Sequence, residues 1–449
     1  MLDSTYVASQ AVVRHVVTGP GRVDVVAGRN IDLGNAAGIT TRGNLDNPYL
    51  RDGGASIVLQ AGALADYARF VGKSVAPGDL PLADQAALTA YVRAVAPSTP
   101  AGLDLAATWD AFNALPLASR NAFLEARKPV LDQIYFHQLA RASGAVGGGA
   151  LDLARYDAVI ASLHAPSAIS GGDINLFGSQ IKTEQGGAID IFAPGGSVLA
   201  GLANVPSYLR TKPASELGVF TVRGGAINAE VRDDFLVNQG RVFTLGGGDI
   251  TLASQYGNID AGRGAKTAVS APPPLLRTDA NGNTVVDIAG SISGSGIATL
   301  KTSPSVPASN VYPIAPRGTF DAGDAGVRSS GTVSIVAATV LNAGNITASS
   351  GVSGAKTADT GSLGGAVSSF ASTPVARTDA FANAAAPNPD AATSLTVELL
   401  GYGVGASGAP ADANLGAGTG SPAGRANCKP GEPAPCVDPQ SGDAQAPKQ

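Results

Sequence analysis

The chain has 449 residues, long enough for one large domain or two to three ordinary ones. Charged residues make up only 14% and aromatics 5%, against 58 Gly and 29 Pro, which is poor material for an ordinary globular core and suits many tight turns around small and β-branched side chains. A net charge of -5 with no Lys/Arg cluster excludes a strong pull on nucleic acid or an anionic membrane, and no run reaches the roughly 18–20 apolar residues of an integral membrane span.

The start, MLDSTYVASQAVV, lacks the basic and apolar regions of a secretory signal. From there GRVDVVAGRNIDLG (21–34), GITTRGN (38–44) and GGASIVLQAG (53–62) repeat one unit: a glycine corner, then apolar residues at alternate positions. Period-two alternation marks a strand with one buried face, and glycine supplies the positive φ of a corner.

Residues 64–165 break this pattern. ADQAALTAYVRAV carries Leu88, Tyr91, Val92 and Val95 at helical spacing, and DLAATWDAFNAL carries Leu105, Trp109 and Phe112 behind an Asp104 cap. SRNAFLEARKPVLDQIYFHQLARASG is helical from a Ser119 cap to a stop at Gly144, and Pro129 either kinks it or opens a new helix. This reads as a small helical bundle, either carrying a partner-binding role or covering an end of the scaffold.

The corner-and-strand unit returns in GGDINLFGSQIKTEQGGAIDIFAPGG (171–196), GGAINAEV (224–231), GGGDITLAS (246–254), GNIDAG (257–262), GTVSIVA (331–337) and GNITAS (344–349). The apolar positions Ile174, Ile189, Ile191, Ile227, Ile250, Ile259, Val333, Ile335 and Ile346 are expected to form the core ladder. Between them, LLRTDANGNTVVDIAG (275–290) reads as a hairpin turning at Asn281-Gly282. Its Asp279, Asn281 and Asn283 mimic a calcium loop, but Thr284 and Gly290 stand where that loop needs Gly and Glu. From about 350 the chain is Ala, Gly, Ser and Pro, with one late strand in SLTVELLGYG (394–403). Residues 404–449 lack apolar material and are expected to be disordered. Within them Cys428 and Cys436 are spaced for one short disulfide, which suits an exported protein.

Short, similar strands without helical crossovers, at unequal spacing, predict an all-β-dominated fold. Its form is a right-handed parallel β-helix, a solenoid in which each coil is buried by its neighbours. The competing reading, a Gly-rich antiparallel sandwich, calls for more aromatics and hairpins. The expected segments are coils at 1–63, a helical insertion at 64–165, coils at 166–349, the Ala/Gly/Ser-rich 350–403 and the tail 404–449.

Chemistry-bearing patterns are sparse. His15, His137 and His164 form no metal-spaced pair, and each reads as structural. Ser162 lies two residues from His164 without a G-x-S-x-G elbow. Asp233-Asp234 is an adjacent acidic pair and reads as a solvated turn; with Arg223 and Arg232 it would have to line the groove of a polysaccharide-active enzyme. GAVGGGALDL has no GK[ST], and GSISGSGIATL lacks the βαβ context of a dinucleotide site. No catalytic, cofactor-binding or metal-binding residue is expected.

Residues 171–349 resemble a domain near the C-terminal part of filamentous-haemagglutinin-like exoproteins. The resemblance is carried by GGDINLFGSQIKTEQGGAIDIFAPGGSVLAG (171–201), FLVNQGRVFTLGGGDITLASQYGNIDAGRGAKT (235–267) and IAPRGTFDAGDAGVRSSGTVSIVAATVLNAGNI (314–346), and extends to AGRNIDLGNAAGITTRGN (27–44) and LTVELLGYG (395–403). It implies a β-helical adhesin-type filament, secreted or displayed at the cell surface in association with the outer membrane. It also implies two-partner export through an outer-membrane β-barrel transporter, and a host or neighbouring-cell glycan or protein as ligand. The Asn-Pro-Asn-Gly-type motif of the family's secretion domain is not in NLDNPYL (44–50), so the chain is expected to be a distal piece of a longer exoprotein or a separate frame cut from one. The expected function is a structural or adhesive, non-enzymatic segment. The alternatives are a β-helical polysaccharide-active enzyme and a delivery protein whose helical insertion binds a partner.

Overall fold

In GGAIDIFA the glycines turn the chain and the next residues alternate between two faces, so Ile189 and Ile191 point the same way. The structure, a computed structural model, describes residues 14–44, 49, 53–100, 102–203, 212, 216–263, 275–278, 284–287 and 294–354. Among these, every strand pairing but one is parallel, and six α-helices are present.

The strands fall into three ladders that the chain visits in rotation. The first stacks Arg14–Thr18, Gly38–Gly43, Gln180–Thr183, Gly218–Thr221, Arg241–Leu245, Gly296–Leu300, Val327–Ser329 and Ile346–Ala348. The second stacks Gly21–Ala27, Ala55–Ala61, Ile189–Ala193, Ile227–Val231 and Ile250–Ser254. The third stacks Ile31–Asp32, Ile174–Asn175, Val198–Leu199, Phe235–Leu236 and Ile259–Asp260. The long strand Val311–Asp321 belongs to both: its first residues pair with Ile250–Ser254 and its last with Ile259–Asp260. The second and third ladders are therefore one 14-stranded sheet that doubles back through this strand.

Register shows what the alternation does. Val23, Ile57, Ile189, Ile227, Ile250, Val311, Val333 and Val352 are successive partners down the second ladder. Ile31, Ile174, Val198, Phe235, Ile259, Phe320 and Val340 do the same in the third, and Ile39, Ile181, Val219, Val242, Ile297, Val327 and Ile346 in the first. The inner members of these columns share one hydrophobic core, while Val352 at the end is exposed. Ile174, Ile189, Ile191, Ile227, Ile250, Ile259, Val333 and Ile335 are buried, each contributing about 1.5–3 kcal/mol. Ile346 is only half-buried, because its strand is the last of its ladder among the described residues.

Two polar columns hold the corners. Where the first ladder turns into the second, the hydroxyls of Thr183, Thr221 and Thr244 donate to the carbonyls of Gly187, Gly225 and Gly248, at 3.0, 2.9 and 2.7 Å. Thr41, Thr183, Thr221, Thr244 and Thr299 are stacked partners and all are buried. The glycines are required there: Gly225 and Gly248 have φ of +102° and +116°, and a Cβ on either would sit 2.1 Å from the carbonyl oxygen of the glycine one turn before. At the start of the third ladder, each turn accepts a backbone N–H from the next. Asp173 N donates to Asn30 Oδ1, Ser197 N to Asp173 Oδ1, Asp234 N to Ser197 Oγ, Asn258 N to Asp234 Oδ1 and Thr319 N to Asn258 Oδ1, over 2.7–3.2 Å.

The helices intervene between the second- and third-ladder strands of one turn. They are α1 (Tyr67–Lys73), α2 (Leu82–Val95), α3 (Leu105–Asn113), α4 (Leu117–Glu125), α5 (Lys128–Ala142) and α6 (Leu153–Leu163). Asp104 caps α3, accepting from Ala107 N at 2.7 Å. Pro129 opens α5 rather than kinking a longer helix, and α4 begins at Leu117, ahead of the expected Ser119 cap. Val95 is exposed and outside the core. The layer does not cover an end of the scaffold. It packs on the outer face of the second ladder, where Val58, Phe192, Ala253 and Ile314 join the helical core. That face is made of the non-core positions of the alternating strands, which here are apolar often enough to need a cover.

The segments Leu275–Thr278 and Thr284–Asp287 form the one antiparallel pair, as the hairpin reading expects. The turn at Asn281-Gly282, the late strand, the tail and Cys428 and Cys436 lie outside the described residues.

Candidate functional site

The layer and the sheet face enclose two clusters of buried ionisable groups. The outer-facing positions of the second ladder carry Asp24, Asp190 and Asn228 in one row and Gln60, Phe192 and Glu230 in the next. Alternation puts these side chains away from the hydrophobic core, where water would normally solvate them. The helices take that water away.

In the first cluster Arg22 links three elements. Its Nε donates to Asp24 Oδ1 at 2.8 Å, one Nη to Asp132 on α5 and the other to the Tyr67 hydroxyl on α1 at 2.8 Å. Tyr67 in turn donates to Asp132 at 2.8 Å. Burial pushes Asp132 up, against the pull of the Arg22 guanidinium; burial, with Asp132 beside it, also raises the Tyr67 hydroxyl, while Asp132 holds Arg22 charged against its own burial. One rung away, Asp190 accepts from Asn228 Nδ2 at 2.8 Å. Burial, reinforced by the nearby Asp132 charge, raises Asp190 to about 8.

In the second cluster Glu230 Oε2 lies 3.4 Å from Nε2 of His164, the residue that ends α6, and both side chains are fully buried. Burial alone raises Glu230 to about 8 and lowers His164 to about 3. The pair is therefore a neutral acid beside a neutral imidazole at neutral pH. Tyr135 and Tyr156 complete it: the Tyr156 hydroxyl donates to the Ser254 carbonyl at 3.1 Å, and the rings of Tyr135 and Phe192 lie 6.3 and 5.6 Å from that of His164. At the rim, Arg317 grips Asp157 of α6 at 2.6 and 3.1 Å.

The residues weighed for catalysis do not converge. Asp234 is a rung of the corner column, accepting from both Asn258 nitrogens. Asp233, Arg223 and Arg232 are exposed; Arg223 donates to Gln185, and the Arg232 guanidinium sits 5.7 Å from the Tyr256 ring centre. Ser162 donates to the Val159 carbonyl at 2.6 Å instead of engaging His164. His137 is exposed on α5, and His15 lies in the first strand of the first ladder. No group of three or more His, Cys, Asp or Glu that could hold a metal occurs among the described residues, and no described helix is long and apolar enough to cross a membrane.

Glu230, Asp190, Asp132 and Arg22 were not legible as a site. INAEV and IDIFA look like half-solvated strands, and Arg22 and Asp132 are 110 residues apart. A layer-covered sheet face has no local signal in either partner.

No curated protein and no solved structure matches the chain. Residues 247–357, which take in the strands from Ile250–Ser254 to Val352–Ser353, match the family model described as filamentous haemagglutinin family outer membrane protein, the family that the sequence resembles.

Proposed function

We propose that the three ladders wind as a right-handed parallel β-helix. In this reading the chain is a structural or adhesive, non-enzymatic shaft segment of a large haemagglutinin-like exoprotein. The single observation that carries this reading is the unbroken register of like residues, from Val23 to Val352, down one face of the molecule. Such a molecule grows by adding turns, is stabilised by nearest-neighbour stacking and offers an extended, repetitive outer surface. That surface suits multivalent recognition of a glycan or protein on a host or neighbouring cell. The family match supports export, and the proposed route is two-partner export through an outer-membrane β-barrel.

A second reading gives the helical layer a delivery or partner-binding role. Its position on the outer side face of the second ladder favours it.

Protease shaving of intact producer cells, followed by a blot for residues 171–349, tests the first reading. Loss of signal from intact cells places these residues outside. A band protected until the cells are lysed overturns the exoprotein reading for this chain. Deleting the helices in a shaft that still folds, then measuring cell binding, separates the two readings.

A further inference from the structure

The helical layer joins the sheet at one narrow place. The outgoing chain leaves at Gly62, with φ of +79°, and the returning chain arrives at Gly171 and Gly172, with φ of +75° and +152°. The two stems lie so close that a Cβ on Gly62 would sit 2.1 Å from the Gly171 carbonyl oxygen. Ser170 fastens them: its N–H donates to the Gly62 carbonyl at 2.9 Å, and its hydroxyl lies 2.8 Å from the Gly62 and Gly28 carbonyls. Just beyond, Asp66 N donates to the Leu163 carbonyl at 2.9 Å, tying the base of the layer to itself. Above this neck the helices have packing of their own. Leu88, Val92, Phe112 and Phe123 are buried, and the rings of Phe112 and Phe123 meet edge-on at 5.2 Å. This is the build of a rigid flap on a glycine hinge.

The face that the flap covers combines apolar contacts with the two polar clusters. Around Glu230 the flap contributes His164, Tyr135 and Tyr156, and among the described residues no Lys or Arg pairs with the acid. Around Asp190 the sheet contributes Asn228, Arg22 and Asp24, and the flap contributes Asp132 and Tyr67. The one guanidinium there is already shared by Asp24, Asp132 and Tyr67.

We propose that the helical layer is a hinged flap whose closure over the second ladder takes up protons, so that mild acid fastens it and alkali loosens it.

The sign follows from each group. Glu230 and Asp190 stand at about 8 when covered and return toward 4.5 and 3.8 when the flap lifts, so each binds a proton on closure between those limits. Asp132, also raised by burial, adds in the same direction. His164 stands at about 3 when covered and 6.5 when exposed, so it releases a proton on closure, but only below about 6.5. Between roughly pH 6.5 and 8 closure therefore binds between one and two protons, and the opening constant rises roughly ten- to forty-fold per pH unit. Below about pH 4 the His164 contribution reverses the trend.

Hydrogen exchange by mass spectrometry on the full chain, corrected for intrinsic rates, reads this directly. Between pH 6.5 and 8 the amides of α5 and α6 should open roughly ten- to forty-fold more per unit, while Gln180–Thr183 and Arg241–Leu245, which the flap does not touch, keep their protection. The Asp190→Asn/Glu230→Gln variant should lose most of this response, since each amide resembles the protonated acid it replaces. Glu230→Gln alone should cut the slope to roughly three- to five-fold per unit, which tests the idea even if the double variant does not fold. A flat response in the unmodified chain overturns the proposal. So does an unchanged slope in Glu230→Gln, or loss of protection in both ladder strands and helices together.

Discussion

The Thr221 hydroxyl donates to the carbonyl of Gly225, four residues on, across a buried corner at 2.9 Å. The same bond recurs one turn before at Thr183 and one turn after at Thr244. Thr221→Val keeps the shape and removes the donor, leaving a buried carbonyl unsatisfied. A loss of about 1–3 kcal/mol is expected in denaturant unfolding, and Thr221→Ser should recover most of it. An unaffected Val variant would mean that the corner carbonyls find other partners.

Charge in the core column should do more damage. Ile189 and Ile250 flank Ile227 in register, and all three are fully buried. Ile250→Asp places an unpaired carboxylate among apolar neighbours and is expected to cost more than about 4 kcal/mol. Hydrogen exchange should open the turns on either side first, because stability is a nearest-neighbour sum. Normal thermal stability in this variant would contradict the register.

Asp234 is expected to act as a rung. Asp234→Ala removes the acceptor for Asn258 and should cost about 1–2 kcal/mol, whereas Asp233→Ala, on an exposed side chain, should change stability by less than about 0.5 kcal/mol. A polysaccharide-depolymerising activity that both substitutions abolish would reverse this assignment in favour of the enzyme reading.

Stability should depend on pH through Glu230 and His164. The folded protein binds the Glu230 proton more tightly than the unfolded chain does, so stability falls as pH rises from about 4.5 to about 8 and then levels off. The lowered His164 acts at the acid end, where stability is lost as pH falls from 6.5 toward 3. Glu230→Gln should therefore exceed the unmodified chain by a few kcal/mol (about 2–5) above pH 8, with the advantage gone below about pH 4.5. Thermal melts across pH 4–9 check this. An advantage that does not vary with pH would mean that Glu230 is ionised in the folded state.

The sequence carried what is periodic and withheld what is not. The alternation at Ile189 and Ile191 marked the core face because one side of each strand is dry throughout the ladder. Asp104 was readable because a cap acts within four residues. The threonine column was hidden: Thr183, Thr221 and Thr244 each precede their glycine by four positions, but a β-branched residue in a strand needs no further explanation. The polar clusters were hidden for a different reason. Glu230 sits where a half-exposed strand ordinarily meets water, and only the fold of residues up to a hundred positions away makes that place dry.

Strands on either side of the helical layer are neighbours in register. Asp32 and Asn175 are stacked partners on the outer face of the third ladder, 143 residues apart, with Asn175 Nδ2 donating to Asp32 Oδ1. Replace both with cysteine, and Cys428 and Cys436 with serine, and oxidise under mild conditions. Neighbouring parallel strands lie about 4.8 Å apart, within disulfide range, so a near-complete cross-link is expected between positions 32 and 175. None is expected between 32 and 176, since Leu176 is buried in the core. Efficient cross-linking at 176 instead, or none at 175, would contradict this register.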